Sequence, residues 1–256
     1  MASGDTQWAG IYMMGVQLNR WRLIVVVKLL FLASIFLYCG QREVRTYKPL
    51  DGMVKKLEQY KKKRNFKSTP EPKPVVKCSA KDNLFVIQQH HASHMHYDLR
   101  LEVNGVLKSW AVPKGPSLNP KDKRLAAETE DHPLDYATFE GIIPEGYGAG
   151  TVIVWDTGTY DNISRKDGNP ISMDQAYNKG HITFVLHGHK LKGAYSLIHT
   201  HMSGSEKNWL LIKTDDEWAD GRRKPTVSQP KSVLSDMTIK ALDKEFNAMK
   251  RSRSEE

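Results

Sequence analysis

The stretch "QQHHASHMHYDLRLEVNG", residues 88–105, is rich in side chains that can bind metals and anions. Its histidines and the charged residues that follow them are His90, His91, His94, His96, Asp98, Arg100 and Glu102. Imidazole nitrogens and carboxylate oxygens together suit a divalent transition metal, and a guanidinium suits a phosphate. Which chemistry is possible depends on which of these side chains share a face.

A β-strand would sort these side chains, because successive residues of a strand point to opposite faces. One face takes the apolar residues Tyr97, Leu99, Leu101 and Val103, and the other takes His96, Asp98, Arg100 and Glu102. Asn104-Gly105 then predicts a two-residue hairpin turn. The register that follows pairs Val103 with Val106, Asp98 with Ala111, and Arg100 with Ser109. The small partners leave room for a ligand.

The preceding strand, "LFVIQQH", brings a second imidazole to the polar face, since His90 can approach His96 and Asp98 from its neighbouring strand. Two imidazoles and a carboxylate make a mixed site with open positions, suited to manganese, zinc or iron(II). A salt bridge between Asp98 and Arg100 is the alternative interpretation. The histidines that the alternation does not place with the others, and that we interpret as structural, are His91 and His94.

Two further segments supply side chains that suit an anion. "AVPKGPSLNPKDKR" contains Lys114 and Arg124, and "EDHPLDYATFEGIIPEGYGAG" contains His132 and Tyr136. Arginine binds phosphate oxygens as a fork and lysine as a point charge. A histidine near an anion can act as a general acid or as a charge stabiliser.

Short strands must position these residues. From residue 84 onward, period-two alternation and the turns in "VNGV", "DTGT", "LHGHKLKG" and "GSEKNW" predict an antiparallel sandwich or small barrel. The segment "SMDQAYNKG" is the best helix candidate between 84 and 213, and the polar tail after 225 predicts a helix followed by disorder. A chain of 256 residues fits one folded domain with an additional segment.

The formal net charge of +9 predicts a polyanionic partner, either nucleic acid or a membrane surface. Residues 53–64 predict a short basic helix, and the prolines of "TPEPKP" predict an extended arm after it. The lysines of this segment either form a solvated linker or contact a phosphate backbone. The two cysteines, Cys39 and Cys78, do not suit a disulfide framework or a cysteine zinc site, and a reducing compartment fits them best.

Residues 23–39 form an almost wholly apolar run, which is slightly short for a bilayer span and contains Lys28. It predicts a marginal membrane anchor. The alternative is an upstream extension that does not belong to the working protein.

Three segments resemble the 3'-phosphoesterase domain of bacterial DNA ligase D and its free-standing archaeal and bacterial relatives. They are "FVIQQHHASHMHYDLRLEVNGVLKSWAVPKGPSLNPKDKRLA", "EDHPLDYATFEGIIPEGYGAGTVIVWDTGTY" and "NWLLIKTDDEWA". The resemblance runs from about Leu57 to about Leu242. It implies a mainly β fold, a compact antiparallel β-barrel with a few short flanking helices and a basic N-terminal arm.

The resemblance also implies roles for individual residues. The metal positions match His90, His96 and Asp98, with manganese as the usual ion and zinc or another divalent transition metal as alternatives. The catalytic and phosphate-engaging positions match Arg100, His132 and Tyr136, supported by Lys114 and Arg124. The substrate-binding positions, which help to remove a terminal ribonucleoside, match Gln88, Glu71 and Arg64. Asn65 stands where the family usually has aspartate, and "PEGYGAG" is one residue shorter than the commoner loop.

The resulting hypothesis is a manganese-dependent hydrolase that removes 3'-terminal ribonucleotides and 3'-phosphates during DNA repair by non-homologous end joining. Its expected partners are nucleic acid 3' ends, a separate DNA ligase and a Ku-type end-binding protein, in the cytoplasm. The rivals are a non-catalytic nucleic-acid-binding barrel and a membrane-tethered adaptor. We expect an N-terminal extension over 1–50, a basic helix and arm over 51–79, the barrel over 80–220 and a polar tail over 221–256.

Overall fold

A computed structural model describes residues 56–77, 83–200 and 206–254, all of which fall within one compact unit, Lys48–Glu256. The strands are β1 (Leu84–His91), β2 (Met95–Val103), β3 (Val106–Val112), β4 (Lys123–Glu128), β5 (His132–Pro133), β6 (Gly141–Ile143), β7 (Gly150–Asn162), β8 (Arg165–Lys166), β9 (Asn169–Pro170), β10 (His181–Gly188), β11 (Lys192–His199) and β12 (Asn208–Lys213). The helices are α1 (Glu58–Lys62), α2 (Met173–Asn178), α3 (Pro225–Ser228) and α4 (Ile239–Ser254), with a 3-10 helix at Leu134–Thr138.

Eight of the strands close into an antiparallel barrel. Their order is β1-β2-β3-β4-β12-β11-β10-β7, and β7 pairs again with β1. Closure leaves none of these strands as a free edge. The short β5 and β6 add to β3 and β7, respectively. The predicted fold class, a mainly β protein with an antiparallel barrel and short helices, is confirmed.

The alternation predicted for β2 places its apolar face inside the barrel. Tyr97, Leu99 and Leu101 belong to the main core cluster, which also contains Trp110 and Trp155. Burying large aromatic and aliphatic side chains on one face of each strand is the main stabilising contribution to such a fold. The polar residues of β2 are therefore left on the outer face of the barrel wall.

The predicted β2–β3 hairpin is confirmed in its register. The paired residues are Val103 with Val106, Arg100 with Ser109, and Asp98 with Ala111. Asn104 and Gly105 both have positive φ, 51° and 78°, as a two-residue turn of this kind requires. Because one face of each strand is buried, a slip of one residue would turn the polar set into the core, which fixes this register.

A second apolar cluster lies on the outer face and holds the N-terminal arm. It contains Tyr60 from the first described helix, Val86 and Val154 from the barrel wall, and Tyr136 from the 3-10 helix. The Tyr60 hydroxyl donates to the Pro72 carbonyl at 2.7 Å. The described part of the predicted 53–64 helix is helical at Glu58–Lys62, and "TPEPKP" has no helix or strand, as predicted.

The helix predicted in "SMDQAYNKG" is confirmed as α2. The side chains of Ser172 and Gln175 each accept from the other's backbone N–H, which forms a capping box at its first turn. In the C-terminal tail, α4 extends to Ser254, further than the sequence indicates. The physical reason is tertiary packing, because Ile239 and Leu242 are buried against Ile153 of β7.

Within the described ranges, no helix is both long and apolar enough to cross a membrane. The apolar run at 23–39 lies outside those ranges.

Candidate metal centre and phosphate site

Three side chains from the polar face of β1 and β2 converge next to the loop that joins these two strands. His90 and His96 are directly paired across the two strands, and Asp98 follows on the same face. His90 Nδ1 lies 3.7 Å from Asp98 Oδ2, and His96 Nε2 lies 3.4 Å from Asp98 Oδ1. One ligand atom from each of the three lies within 4.8 Å of the others.

Backbone carbonyls orient both imidazoles. His90 Nε2 lies 3.0 Å from the Gly148 carbonyl oxygen, and His96 Nδ1 lies 3.0 Å from the His94 carbonyl oxygen. A carbonyl accepts only, so each of these two nitrogens carries a proton, and the other nitrogen of each ring faces Asp98. Such outer contacts are typical of metal-ligating histidines. His90 Nδ1, His96 Nε2 and the Asp98 carboxylate then face one point, and with both nitrogens unprotonated this donor set fits Mn²⁺, Zn²⁺ or another divalent transition metal.

The salt bridge that was the alternative to a metal site is also present. Arg100 Nη2 lies 2.9 Å from Asp98 Oδ2. Burial alone would raise the pKa of Asp98, but the charge of Arg100 and the hydrogen bonds of His90 and His96 hold that pKa well below its ordinary value. Burial likewise lowers the pKa of His96, but the hydrogen bond and charge of Asp98 raise it overall. Asp98 is therefore an anion that can serve the guanidinium and a metal at once.

The Arg100 guanidinium is buried, and hydrogen bonds to Gln88, Ser109 and Asp98 fix its position. Its Nε donates to Gln88 Oε1 at 2.8 Å, and its Nη1 donates to Ser109 Oγ at 2.9 Å. The carbon at the centre of the guanidinium lies 4.8 Å from the centre of the Tyr136 ring. A guanidinium fixed in this way can engage a phosphate without first losing side-chain freedom.

His132 lies between two guanidinium groups. Its Nδ1 is 2.9 Å from Arg100 Nη1, and its Nε2 is 3.2 Å from Arg64 Nη2. The Glu130 carbonyl oxygen accepts the Nδ1 proton at 2.8 Å, and guanidinium groups only donate, so a second proton on Nε2 would face the Arg64 donor. Burial and then the charges of Arg100 and Arg64 hold the pKa of His132 well below its ordinary value. The imidazole is neutral at neutral pH.

The arm contributes Arg64 and Glu71 to the same place. Arg64 Nε donates to Glu71 Oε1, and Arg64 Nη1 donates to Glu130 Oε1, each at 2.8 Å. Glu71 Oε1 also accepts from the Tyr136 hydroxyl at 3.0 Å. Burial, opposed only in part by the charges of Arg100 and Arg64, raises the pKa of Tyr136 well above its ordinary value, so its hydroxyl stays protonated. Arg64 is thereby fixed beside His132.

These side chains line one cleft of about 180 Å³. The sequence-predicted residues that the structure brings to it are His90, His96, Asp98, Arg100, His132, Tyr136, Arg64 and Glu71. A neighbouring cavity of about 300 Å³ shares Arg64, Glu71 and Tyr147 with it and is also lined by Asn65. The shortened loop "PEGYGAG" supplies Tyr147 and the Gly148 carbonyl that contacts His90.

Three predicted residues do not line the cleft. Gln88 is fully buried, and its amide nitrogen donates to the Tyr136 and Phe139 carbonyls, both at 2.9 Å. Lys114 is exposed in the turn after β3. Arg124 shares the inward face of β4 with buried Ala126 and donates to Asp122 at 2.7 Å. Strand alternation assigns a face to a residue, but it does not say how far along the barrel that residue lies.

Three residues of the site were not predicted from the sequence. Glu130 holds both Lys63 Nζ and Arg64 Nη1, each at 2.8 Å. Burial would raise the pKa of Glu130, but these hydrogen bonds lower it. Tyr60 packs 3.8 Å beneath the Arg64 guanidinium, and Tyr147 is half exposed at the mouth. Glu130 could have been suspected, because in "EDHPLDY" it lies two positions before His132.

His91 lies apart from the cleft, as the sequence indicated. Its Nδ1 is 2.7 Å from Asp243 Oδ2 on α4. His94 contributes its backbone carbonyl to His96.

Comparison with known proteins identifies the family to which this barrel domain is similar. Residues 88–199 match the family model of the DNA ligase D 3'-phosphoesterase domain. Through this barrel, the chain belongs to the DNA ligase D 3'-phosphoesterase domain family. The match to this phosphoesterase domain covers His90, His96, Asp98, Arg100 and His132.

Relatives of the phosphoesterase domain occur within much longer proteins. The chain is 46% identical over 190 residues to the multifunctional non-homologous end joining protein LigD of Pseudomonas aeruginosa, which covers 72% of this chain and 22% of that protein. It is 50% identical over 147 residues to the multifunctional non-homologous end joining DNA repair protein LigD of Mycobacterium tuberculosis, covering 57% of this chain and 18% of that protein. The corresponding values for the Mycolicibacterium smegmatis protein are 43% over 175 residues, 66% and 22%. The chain thus spans about a fifth of the length of these relatives.

Proposed function

We propose that this protein is a metal-dependent phosphoesterase that acts on nucleic acid 3' ends, hydrolysing the last phosphodiester to release a terminal ribonucleoside and then hydrolysing the 3'-phosphate that remains, to leave a 3'-hydroxyl. The observation that carries the proposal is the convergence of the metal-ligand set with Arg100 and His132 in one cleft. A metal-ligand set alone would suit many reactions. Two fixed guanidinium groups, Arg100 and Arg64, beside it favour a phosphate as the reacting group.

His90 Nδ1, His96 Nε2 and an oxygen of Asp98 would hold the metal, with manganese as the preferred ion. A bound divalent metal supplies Lewis acidity and lowers the pKa of an associated water. Arg100 offsets negative charge on the phosphoryl oxygens, and its contacts with Gln88 and Ser109 keep it in place for this task.

His132 acts in this proposal as a neutral hydrogen-bonding group that stabilises charge in the transition state. The low pKa caused by burial and by two neighbouring guanidinium groups disfavours the protonated ring that a general acid requires. Tyr136 supports this arrangement, since its ring lies 4.8 Å from the His132 ring and its hydroxyl holds Glu71.

Removing a ribonucleoside requires a place for the sugar and base beyond the scissile bond. The 300 Å³ cavity beside the cleft supplies such a place, and Arg64 and Glu71 line both spaces. The phosphoesterase would hand its 3'-hydroxyl product to a ligase, and a separate DNA ligase and a Ku-type end-binding protein are the partners that this role implies. Lys114, exposed in the turn after β3, is proposed as a supporting basic residue for the nucleic acid.

The decisive test incubates the purified protein and Mn²⁺ with a labelled primer-template that ends in a 3'-phosphate. Wild type should yield the 3'-hydroxyl strand, and a chelator should stop the reaction. Asp98→Ala should lose Mn²⁺ binding and both reactions, with activity lowered by at least about a thousandfold, because a ligand and the partner of Arg100 disappear together. Asp135→Ala is the matched control, since Asp135 lies on the surface and pairs only with Lys77 among the contacts described.

A folded Asp98→Ala protein that still removes the 3'-phosphate would refute the metal assignment. Wild type that binds the primer-template without changing its end would instead support a non-catalytic nucleic-acid-binding barrel. Circular dichroism of each variant establishes that the barrel is intact.

A further inference from the structure

The back of the metal-bearing hairpin is covered by α4. The ligands His90 and His96 face the cleft, so their sequence neighbours face the other way. Met95, immediately before His96, packs in the cluster formed by Ile153, Ile239 and Leu242. The C-terminal helix therefore contacts the hairpin directly behind its metal ligands.

Asp243 fastens this helix to the barrel wall at the same point. Its Oδ2 lies 2.7 Å from Nδ1 of His91, the residue after the ligand His90. Its Oδ1 accepts from Thr151 Oγ1 at 2.5 Å. His91 and Thr151 are the last residue pair between β1 and β7, so one carboxylate contacts both members of that pair.

The metal ligands His90 and His96 lie beside the short loop that joins β1 to β2, and loops open locally more easily than the centre of a sheet. The strand β1 ends at His91 and β2 begins at Met95, so the ligand pair His90 and His96 lies one position from the turn. Strand ends open locally at much lower free energy than the core of a sheet. A metal needs its ligands within a few tenths of an ångström of their bound positions, so opening at this turn would weaken binding.

We propose that α4 is a positioning element for the metal centre and that Asp243 is its principal positioning residue. By holding His91 and Thr151 together from behind, Asp243 keeps the His90 end of β1 in register with His96 and raises the affinity for the metal. This inference rests on the proposed function, because it takes the triad as a metal site. It assigns to the C-terminal tail a part in the chemistry that its polar composition does not suggest.

The effect is local rather than a general loss of stability. The Asp243 side chain is 22% exposed and that of His91 is 43% exposed. Ion pairs and hydrogen bonds that are this open to water contribute little to global folding. Their loss should therefore alter the hairpin end much more than the unfolding temperature.

The test measures Mn²⁺ binding by titration calorimetry, without nucleic acid, in wild type, Asp243→Ala and Asp243→Asn. Asp243→Ala should weaken Mn²⁺ binding by about tenfold, a loss in the range seen when outer contacts of metal ligands are removed. Asp243→Asn should retain most of the affinity, because its amide oxygen can still accept a hydrogen bond. Glu245→Ala is the matched control, since it removes the same charge from an exposed position of α4 and should bind as wild type does.

Amide hydrogen exchange of residues 90–96 in the metal-free protein gives a readout that does not need the metal. Exchange there should be faster in Asp243→Ala and unchanged in Glu245→Ala. Unaltered affinity and exchange in Asp243→Ala, or equal losses in Glu245→Ala, would overturn the inference. Wild type that binds no Mn²⁺ would overturn the proposed function instead, and the exchange measurement would still decide whether Asp243 holds the hairpin.

Discussion

At the scale of single residues, Asp98 and Arg100 fit both interpretations of the sequence, a metal site and a salt bridge. The sequence offered a metal site or a salt bridge, and the structure has the three ligand side chains together and the guanidinium 2.9 Å from the carboxylate. The two arrangements are compatible because a carboxylate can accept several hydrogen bonds and still bind a cation. The fixed Arg100 then lies beside the candidate metal centre, where a phosphate could contact both.

Gln88 provides a sharp residue-scale prediction. All its side-chain hydrogen bonds go to protein groups, and one of them fixes Arg100 Nε. Gln88→Ala should therefore lower phosphate hydrolysis and ribonucleoside removal by similar factors, about tenfold to a hundredfold, because both need Arg100 in place. Both rates should be measured on matched primer-templates with a 3'-phosphate or a 3'-terminal ribonucleotide. A loss confined to ribonucleoside removal would instead support the substrate contact that the sequence predicted.

At the scale of elements, the arm brings a second set of groups to the barrel wall. Glu71 fixes Arg64 and the Tyr136 hydroxyl, and it also lines the larger cavity. Removing it should therefore affect most the reaction that uses the larger cavity. Glu71→Ala should lower ribonucleoside removal at least about tenfold more than 3'-phosphate hydrolysis, since misplacement of a positioning group is costly.

The control for this prediction is Glu71→Gln, which keeps an acceptor for Arg64 and the tyrosine. Leaving those buried donors unpaired in Glu71→Ala costs about 1–3 kcal/mol, so unfolding by urea must be measured on both variants. Equal losses in the two assays from folded Glu71→Ala would show that the arm is structural.

Asn65 allows a gain-of-function prediction for the same arm. Its side chain lines the larger cavity and accepts from the Lys67 backbone N–H at 3.2 Å. Asn65→Asp restores the carboxylate that the family usually has, and a carboxylate accepts stronger hydrogen bonds from ribose hydroxyls. Ribonucleoside removal should rise several-fold, with 3'-phosphate hydrolysis unchanged. No rise would mean that this departure from the family does not limit the reaction.

At the scale of the whole molecule, the positive charge should govern nucleic acid binding. Affinity for a 3'-phosphorylated duplex should fall linearly in a plot of log affinity against log salt concentration, because each phosphate contact releases counterions. Lys62→Ala removes an exposed lysine of α1 and should reduce the magnitude of this slope by about one, the value expected for one phosphate contact. Lys179→Ala, at the end of α2, removes an exposed lysine outside the basic arm and should leave the slope unchanged. A flat titration of wild type would argue against a groove that follows the phosphate backbone.

Folding stability should also depend on pH through His132. Its folded-state pKa is depressed, so between that pKa and the unfolded value of about 6.5 the unfolded chain binds a proton that the folded protein does not. Stability therefore falls as pH falls through this window, by up to about 1.4 kcal/mol per pH unit. His96, whose pKa is raised, contributes with the opposite sign above pH 6.5.

This dependence can be measured by urea unfolding of the metal-free protein at a series of pH values from about 4.5 to about 7.5, a range that includes the unfolded pKa of about 6.5. His132→Asn should show a shallower loss toward low pH, whereas His187→Asn, at an exposed position, should follow wild type. Parallel curves for wild type and His132→Asn would show that His132 takes up its proton equally well in both states.

The sequence by itself determined the local arrangement of the candidate metal centre. Alternation along β2, one Asn-Gly turn and the neighbouring strand were enough to bring His90, His96 and Asp98 to one face, because each of these rules acts between adjacent or directly paired residues. The core face and the hairpin register followed from the same rules.

Only the tertiary structure decided what surrounds that centre. Three contacts join residues that are 66 to 152 positions apart in the sequence. They are those of Arg64 with His132, of Arg64 with Glu130 and of His91 with Asp243. No periodicity links such positions, since their contacts arise from closing the barrel and packing the arm and α4 onto it. For the same reason the sequence grouped Gln88, Lys114 and Arg124 with the cleft, whereas barrel geometry buries the first, exposes the second and turns the third inward.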